Sequence, residues 1–110
     1  MVNLDMPYTL PFMLGAMTNK ERIQEPIYLK LEDSIDLLID VDLMIEKAKL
    51  TEKQKEVVEL YYFGQMTQEE VAEQLGITQQ AVLDHINKIK ERLNNVLKKW
   101  GELDAKYNIQ

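Results

Sequence analysis

Eight apolar residues in the last third of the chain, Val82, Ile86, Ile89, Leu93, Val96, Trp100, Leu103 and Tyr107, recur at spacings of 4, 3, 4, 3, 4, 3 and 4. That period puts them on one stripe of an α-helix and sustains the stripe for 26 residues counted inclusively. A helix with one long apolar side must bury it, so the rest of the molecule has to supply cover. A compact domain over residues 51–92 covers about the first two turns. The remainder, from Leu93 onward, needs a second apolar surface, either a helix at 28–50 folded back within the chain or another copy. A homodimer is the favoured expectation, with Leu93, Val96, Leu97 and Trp100 at its interface. Gly101 weakens the helix by about 1 kcal/mol relative to alanine, which makes Trp100 a candidate end point.

The text before this helix is also helical, and the expected class is all-α. From about Leu31 to Leu50, the residues Leu37, Leu38, Val41, Met44, Ile45 and Ala48 share one face. Asp33, Asp36, Asp40 and Lys47 occupy another side, read as a solvated acidic face rather than a catalytic one. Thr51 stands three residues before Gln54 as in a capping box, starting a helix from about Glu52 to Phe63, with Gly64 placed to stop it in the left-handed conformation. Thr67 caps a second short helix, Gln68 to Leu75, which Gly76 ends. Thr78 then caps a third, beginning at Gln79. Residues 1–27 contain all three prolines and four of the six methionines without either period. They read as a loosely ordered arm, an ordinary frayed end or a segment that docks on a partner.

Ala72-x3-Gly76-x5-Val82 has helix-turn-helix spacing. A small residue sits where two helix backbones approach, a glycine turns the corner, and an apolar side chain fills the angle. Around it, Leu50-Thr51-Glu52-Lys53-Gln54, Leu60-Tyr61-Tyr62-Phe63, Thr67-Gln68-Glu69-Glu70-Val71-Ala72-Glu73 and Leu75-Gly76-Ile77-Thr78-Gln79-Gln80-Ala81-Val82 resemble the fourth conserved region of sigma-70-type RNA polymerase factors. The resemblance covers about residues 48–97. The preceding stretch from Leu38 to Ala48 is similar to the linker helix of small phage-encoded sigma-like proteins.

The resemblance implies that the third helix enters the major groove of double-stranded DNA. Gln79, Gln80, Leu83, Asp84 and Asn87 would face the bases, and Lys88 would lie near the backbone. Side-chain amides can pair with adenine, and Leu83 can touch a thymine methyl. The caps at Thr67 and Thr78 would leave backbone N–H groups near phosphates. Where the family tends to carry basic residues, this chain has Asp84, His85 and Asn87; Asp84 would repel phosphate unless it accepts from a cytosine amino group. His85 adjoins the seam and reads as structural. RNA polymerase is the protein partner that the resemblance implies. Residues 1–47 lack the aromatic-rich basic helix that promoter melting requires, which points to an auxiliary regulator.

Charge sharpens this reading. The net charge of −6 argues against loose polyanion binding. Yet residues 78–110 hold six basic against four acidic side chains, while residues 51–77 hold two against six. A reader charged in this way needs a partner or a second copy to hold DNA firmly. The chain has no cysteine and one histidine, so neither disulfides nor a thiolate or His-rich metal centre is expected. No cofactor, metal or enzymatic chemistry is expected. The absence of a membrane-length apolar run and of a secretory start leads to the expectation of a cytoplasmic protein in a bacterial host cell. Two other readings fit the same motif: a helix-turn-helix adaptor for protein partners, and a phage small terminase subunit for DNA packaging.

Overall fold

A computed structural model describes residues 9–19 and 31–107, with side chains at 9–19 and 37–102. Among the described residues five helices follow one another: α1 (Leu10–Thr18), α2 (Leu31–Ala48), α3 (Glu52–Val57 continuing in widened turns through Val58–Phe63), α4 (Gln68–Leu75) and α5 (Gln79–Tyr107). No strand occurs among the described residues.

Within the segment expected to be a loosely ordered arm, residues Leu10–Thr18 form helix α1. Thr9 caps it by accepting a hydrogen bond from the Phe12 N–H at 3.3 Å. Pro11 lies in the first turn, where its missing N–H is one of the donors that a helix start leaves unpaired anyway. The helix hid from periodicity because its sequence, LPFMLGAMT, has no polar face to alternate with the apolar one. Met13, Ala16 and Met17 are buried. At the other end, the Gln65 side-chain amide donates to the Thr18 carbonyl at 2.7 Å, tying α1 to the loop after α3. Residues 1–8 and 20–27 of the expected arm lie outside the described residues.

Helix α2 buries Leu37, Val41, Met44 and Ala48, with Leu38 and Ile45 partly covered. Asp40 departs from the expected solvated face: only 5 % of it is exposed. It follows Leu37 by three positions and precedes Met44 by four, so it borders the buried stripe. Asp33 and Asp36 fall among residues whose side chains are not described.

Helix α3 starts as anticipated. The Gln54 N–H donates to Thr51 Oγ1, and Gln54 Oε1 accepts from the Thr51 N–H at 3.0 Å. Its end differs. The Gly64 N–H donates to the Glu59 carbonyl five residues back, at 2.8 Å, and the Met66 N–H reaches Leu60 at 3.0 Å, so the last turns are wide. Gly64 keeps φ at −82° and is not left-handed. Glycine is required there by space, since a Cβ would stand 2.7 Å from the Leu60 carbonyl oxygen. Gln65 takes the left-handed conformation instead, with φ 55°.

Helix α5 runs without a break through Gly101, about 43 Å at 1.5 Å per residue. It does not stop at Trp100, and it passes residues 92 and 93 without interruption. Val82, Ile86, Ile89 and Leu93 are almost fully enclosed, and Val96 and Leu97 are buried. Helices α1 and α2 pack against α5, alongside α3 and α4, in one continuous apolar cluster. The cover demanded by the seam therefore comes from within the chain. Leu93, Val96 and Leu97 are core residues, which removes the reason for placing them at a dimer interface; Trp100 packs at the edge of the same core. Leu103 and Tyr107 continue the helix backbone, but their side chains are not described.

Candidate nucleic-acid interface

Helices α4 and α5 make the helix-turn-helix corner. Thr67 Oγ1 accepts from the Glu70 N–H at 3.1 Å, and the Glu70 carboxylate accepts from the Thr67 N–H at 2.9 Å, a reciprocal cap. Val71 and Ala72 face inward. Gly76, with φ 67°, ends α4 in the left-handed region, and the Ile77 N–H donates back to the Ala72 carbonyl at 3.0 Å. Thr78 Oγ1 accepts from the Ala81 N–H at 3.0 Å and starts α5. Val82, fully enclosed, fills the angle between the two helices.

The first three turns of α5 are thus fixed on one side and free on the other. Gln79, Gln80, Asp84, Asn87 and Lys88 are exposed, and Leu83 is half-buried among them. His85 is half-buried, as its place beside the seam implies. The structure adds a contact that spacing alone did not signal as functional: Gln80 Nε2 donates to Asp84 Oδ1 at 3.0 Å, one helical turn apart. One amide proton is engaged, while the other and the Oε1 acceptor remain available, the pair of groups that adenine N7 and N6 match. The Asp84 carboxylate thereby restrains the Gln80 amide from one side. Lys88 Nζ lies 3.9 Å from Glu91, an exposed pair that costs little to separate.

The two threonine-capped starts are not equivalent. At Thr67 the cap is closed by Glu70, and Glu69 adds a second carboxylate to the same turn. Their charge occupies the place where an anion would gain from the helix dipole. The first turn of α5 carries no acidic residue. Carboxylates thus offset the free backbone donors at Thr67 and leave those at Thr78 uncompensated.

Tyr62 is the one buried side-chain polar group without a hydrogen-bond partner among the described residues. Burial, reinforced by charge repulsion from the neighbouring Tyr61 phenol, pushes its phenol up to about 12; the two rings meet edge-on at 4.9 Å. No group of acidic residues or histidine able to hold a metal ion occurs among the described residues. Nor is any described helix long and apolar enough to cross a membrane.

Residues 48–95 match the family model for sigma-70, region 4, a DNA-binding helix-turn-helix. The matched segment takes in α3, α4 and the first half of α5. A UPF0122 protein of Desulforamulus reducens is 40 % identical over 52 residues, covering 47 % of this chain and 44 % of that protein. The chain thus spans less than half the length of this curated relative. No solved structure gives a significant match.

Proposed function

We propose that this chain, whose residues 48–95 form a sigma-70 region 4-like helix-turn-helix, is a sequence-specific DNA-binding regulator of transcription that lays the first turns of α5 in the major groove. The observation that carries the reading is the one-sided anchoring of those turns. Val82 and Ile86 lock one side into the core, while Gln79, Gln80 and Asn87 stand clear on the other with Leu83 half-buried between them. Rigid placement of amide and apolar groups on a helix start is what base-edge recognition needs, since bidentate pairing tolerates little play. Gln80, held by Asp84, is assigned to adenine; Leu83 is assigned to a thymine methyl. The family likeness supports RNA polymerase as the partner that adds affinity to an acidic reader.

Selection from a pool of randomised duplexes tests this. The purified chain should enrich a defined sequence, alone or with RNA polymerase, and its affinity should fall as salt rises. A promoter carrying that sequence should change its transcript yield when the chain is added. Failure to enrich any sequence at low salt, with or without polymerase, rejects the proposal.

A further inference from the structure

A groove of about 670 Å³ lies between the junction of α2 with α3 and the second half of α5. Val96 and Trp100 line it on the apolar side, and Lys47, Lys49, Arg92 and Lys99 bring four cations to it against one carboxylate, Glu91. We propose that this groove is a second DNA contact, a clamp for the phosphate backbone leaving the major groove in which the start of α5 sits. The proposal rests on the DNA reading above and extends it to residues that lie beyond the bases.

Three observations support a polyanion as the occupant. Lys88, Arg92, Asn95 and Lys99 follow one another at spacings of 4, 3 and 4, a single stripe on the helix that carries the candidate base-reading residues. That stripe extends about 16 Å from Lys88 to Lys99, enough to follow several phosphates at roughly 3.4 Å of axial rise per nucleotide. The stretch before α5 is acidic, two basic against six acidic side chains over residues 51–77, so a polyanion is steered away from most of it and toward this strip.

The third observation is Lys49. It adopts φ 51°, the left-handed conformation that follows a helix end and that glycine takes without strain. Its carbonyl accepts a hydrogen bond from Arg92 Nη1 at 3.2 Å, which joins the two cations across the groove. A lysine kept where glycine would be favoured retains its strain for what the side chain does. In the clamp, the Lys49 ammonium binds phosphate, and Arg92 holds the corner that presents it.

Lys49→Gly separates the chemical role from the structural one, because it relieves the strained conformation while it deletes the charge. Binding of the selected duplex is measured against salt for wild type, Lys49→Gly, Lys99→Gln and the double variant. The expected result is a melting temperature for Lys49→Gly equal to or above wild type, together with several-fold weaker binding. The slope of log affinity against log salt should become shallower by about 0.9 per lost contact. Base preference should be unchanged. The double variant should lose about twice as much slope, and trimming the duplex on the flank the groove faces should erase the difference from wild type. If wild type binds its selected duplex and the variants match it in affinity and slope, the clamp is refuted while the base-reading assignment stands. Loss of RNA polymerase binding with DNA binding intact would make the groove a protein contact and likewise overturn the clamp. A wild type that selects no duplex overturns both proposals together.

Discussion

The two halves of α5 share one apolar stripe but differ in what lies around it. In the first half, α3 and α4 cover the seam, and the outer side carries exposed amides. Further along, the end of α2 lies beside Val96 and Trp100, α1 adds to the cover of the helix as a whole, and the outer side carries cations. The stripe alone says that cover is needed over its whole length; it does not say who provides it. Helix α1 is the provider that periodicity misses, because nine nearly all-apolar residues generate no polar face. Helix α5 is therefore a core element along one side and two different surfaces along the other.

Substitutions can break that comparison or sharpen it. The largest effect is expected at Leu93, where truncation to alanine should cost roughly 2–5 kcal/mol in chemical denaturation, against about 1 kcal/mol for the half-buried Leu83. Light scattering should then return the mass of one chain for the wild type. A dimer that dissociates when Leu93 is truncated, with the fold intact, would restore the interface that the internal packing removes.

Next in size is base recognition. Gln80→Ala and Asn87→Ala should each cost about 1–3 kcal/mol at one base pair of the selected duplex, with thermal stability unchanged. Asp84→Asn should relax the preference at the Gln80 position more weakly, because it loosens the amide without removing it.

The two caps provide a finer contrast. Thr67→Ala and Thr78→Ala should each lower stability by about 1 kcal/mol, but only the Thr78 change should also weaken DNA binding. Equal losses of affinity at both sites would contradict the distinction drawn from Glu69 and Glu70.

The smallest effect is expected at Tyr62. Replacing it with phenylalanine removes a buried hydroxyl without a partner and should raise stability by about 0.5–1 kcal/mol near neutral pH. Its phenol, pushed up to about 12 by burial, holds its proton in the folded state at a pH where an unfolded chain has released it. Unfolded chains bind fewer protons in that window, so wild-type stability should fall as pH rises from about 10 to 12, and Tyr62→Phe should lack that component of the fall.

What was legible in the sequence was mostly local. Thr51 with Gln54, Thr67 with the turn it starts, and Gly76 at the corner are decided by neighbours within four residues, so their positions follow from reading the chain. The outward face of α5 followed from the seam by subtraction. What stayed hidden depends on distant packing or on backbone detail. Gly64 serves space rather than handedness, because widened turns bring the Leu60 carbonyl against it. Asp40 sits on the border of a buried stripe, where a small rotation of the helix decides between water and core. Lys49 bears a strained conformation that no residue preference announces. Asp40 becomes visible only when helices far apart in sequence have been packed together, and Gly64 and Lys49 only when the course of the local backbone is fixed.

A titration of the isotopically labelled chain with its selected duplex, followed by amide chemical shifts, tests the central claim most directly. The account predicts the largest changes at Gln79, Gln80, Leu83 and Asn87, smaller ones at Lys88, Arg92 and Lys99, and none at the exposed Ile39 and Leu43 of α2. Changes centred on α2 or on the first turn of α4, with the start of α5 undisturbed, would contradict it.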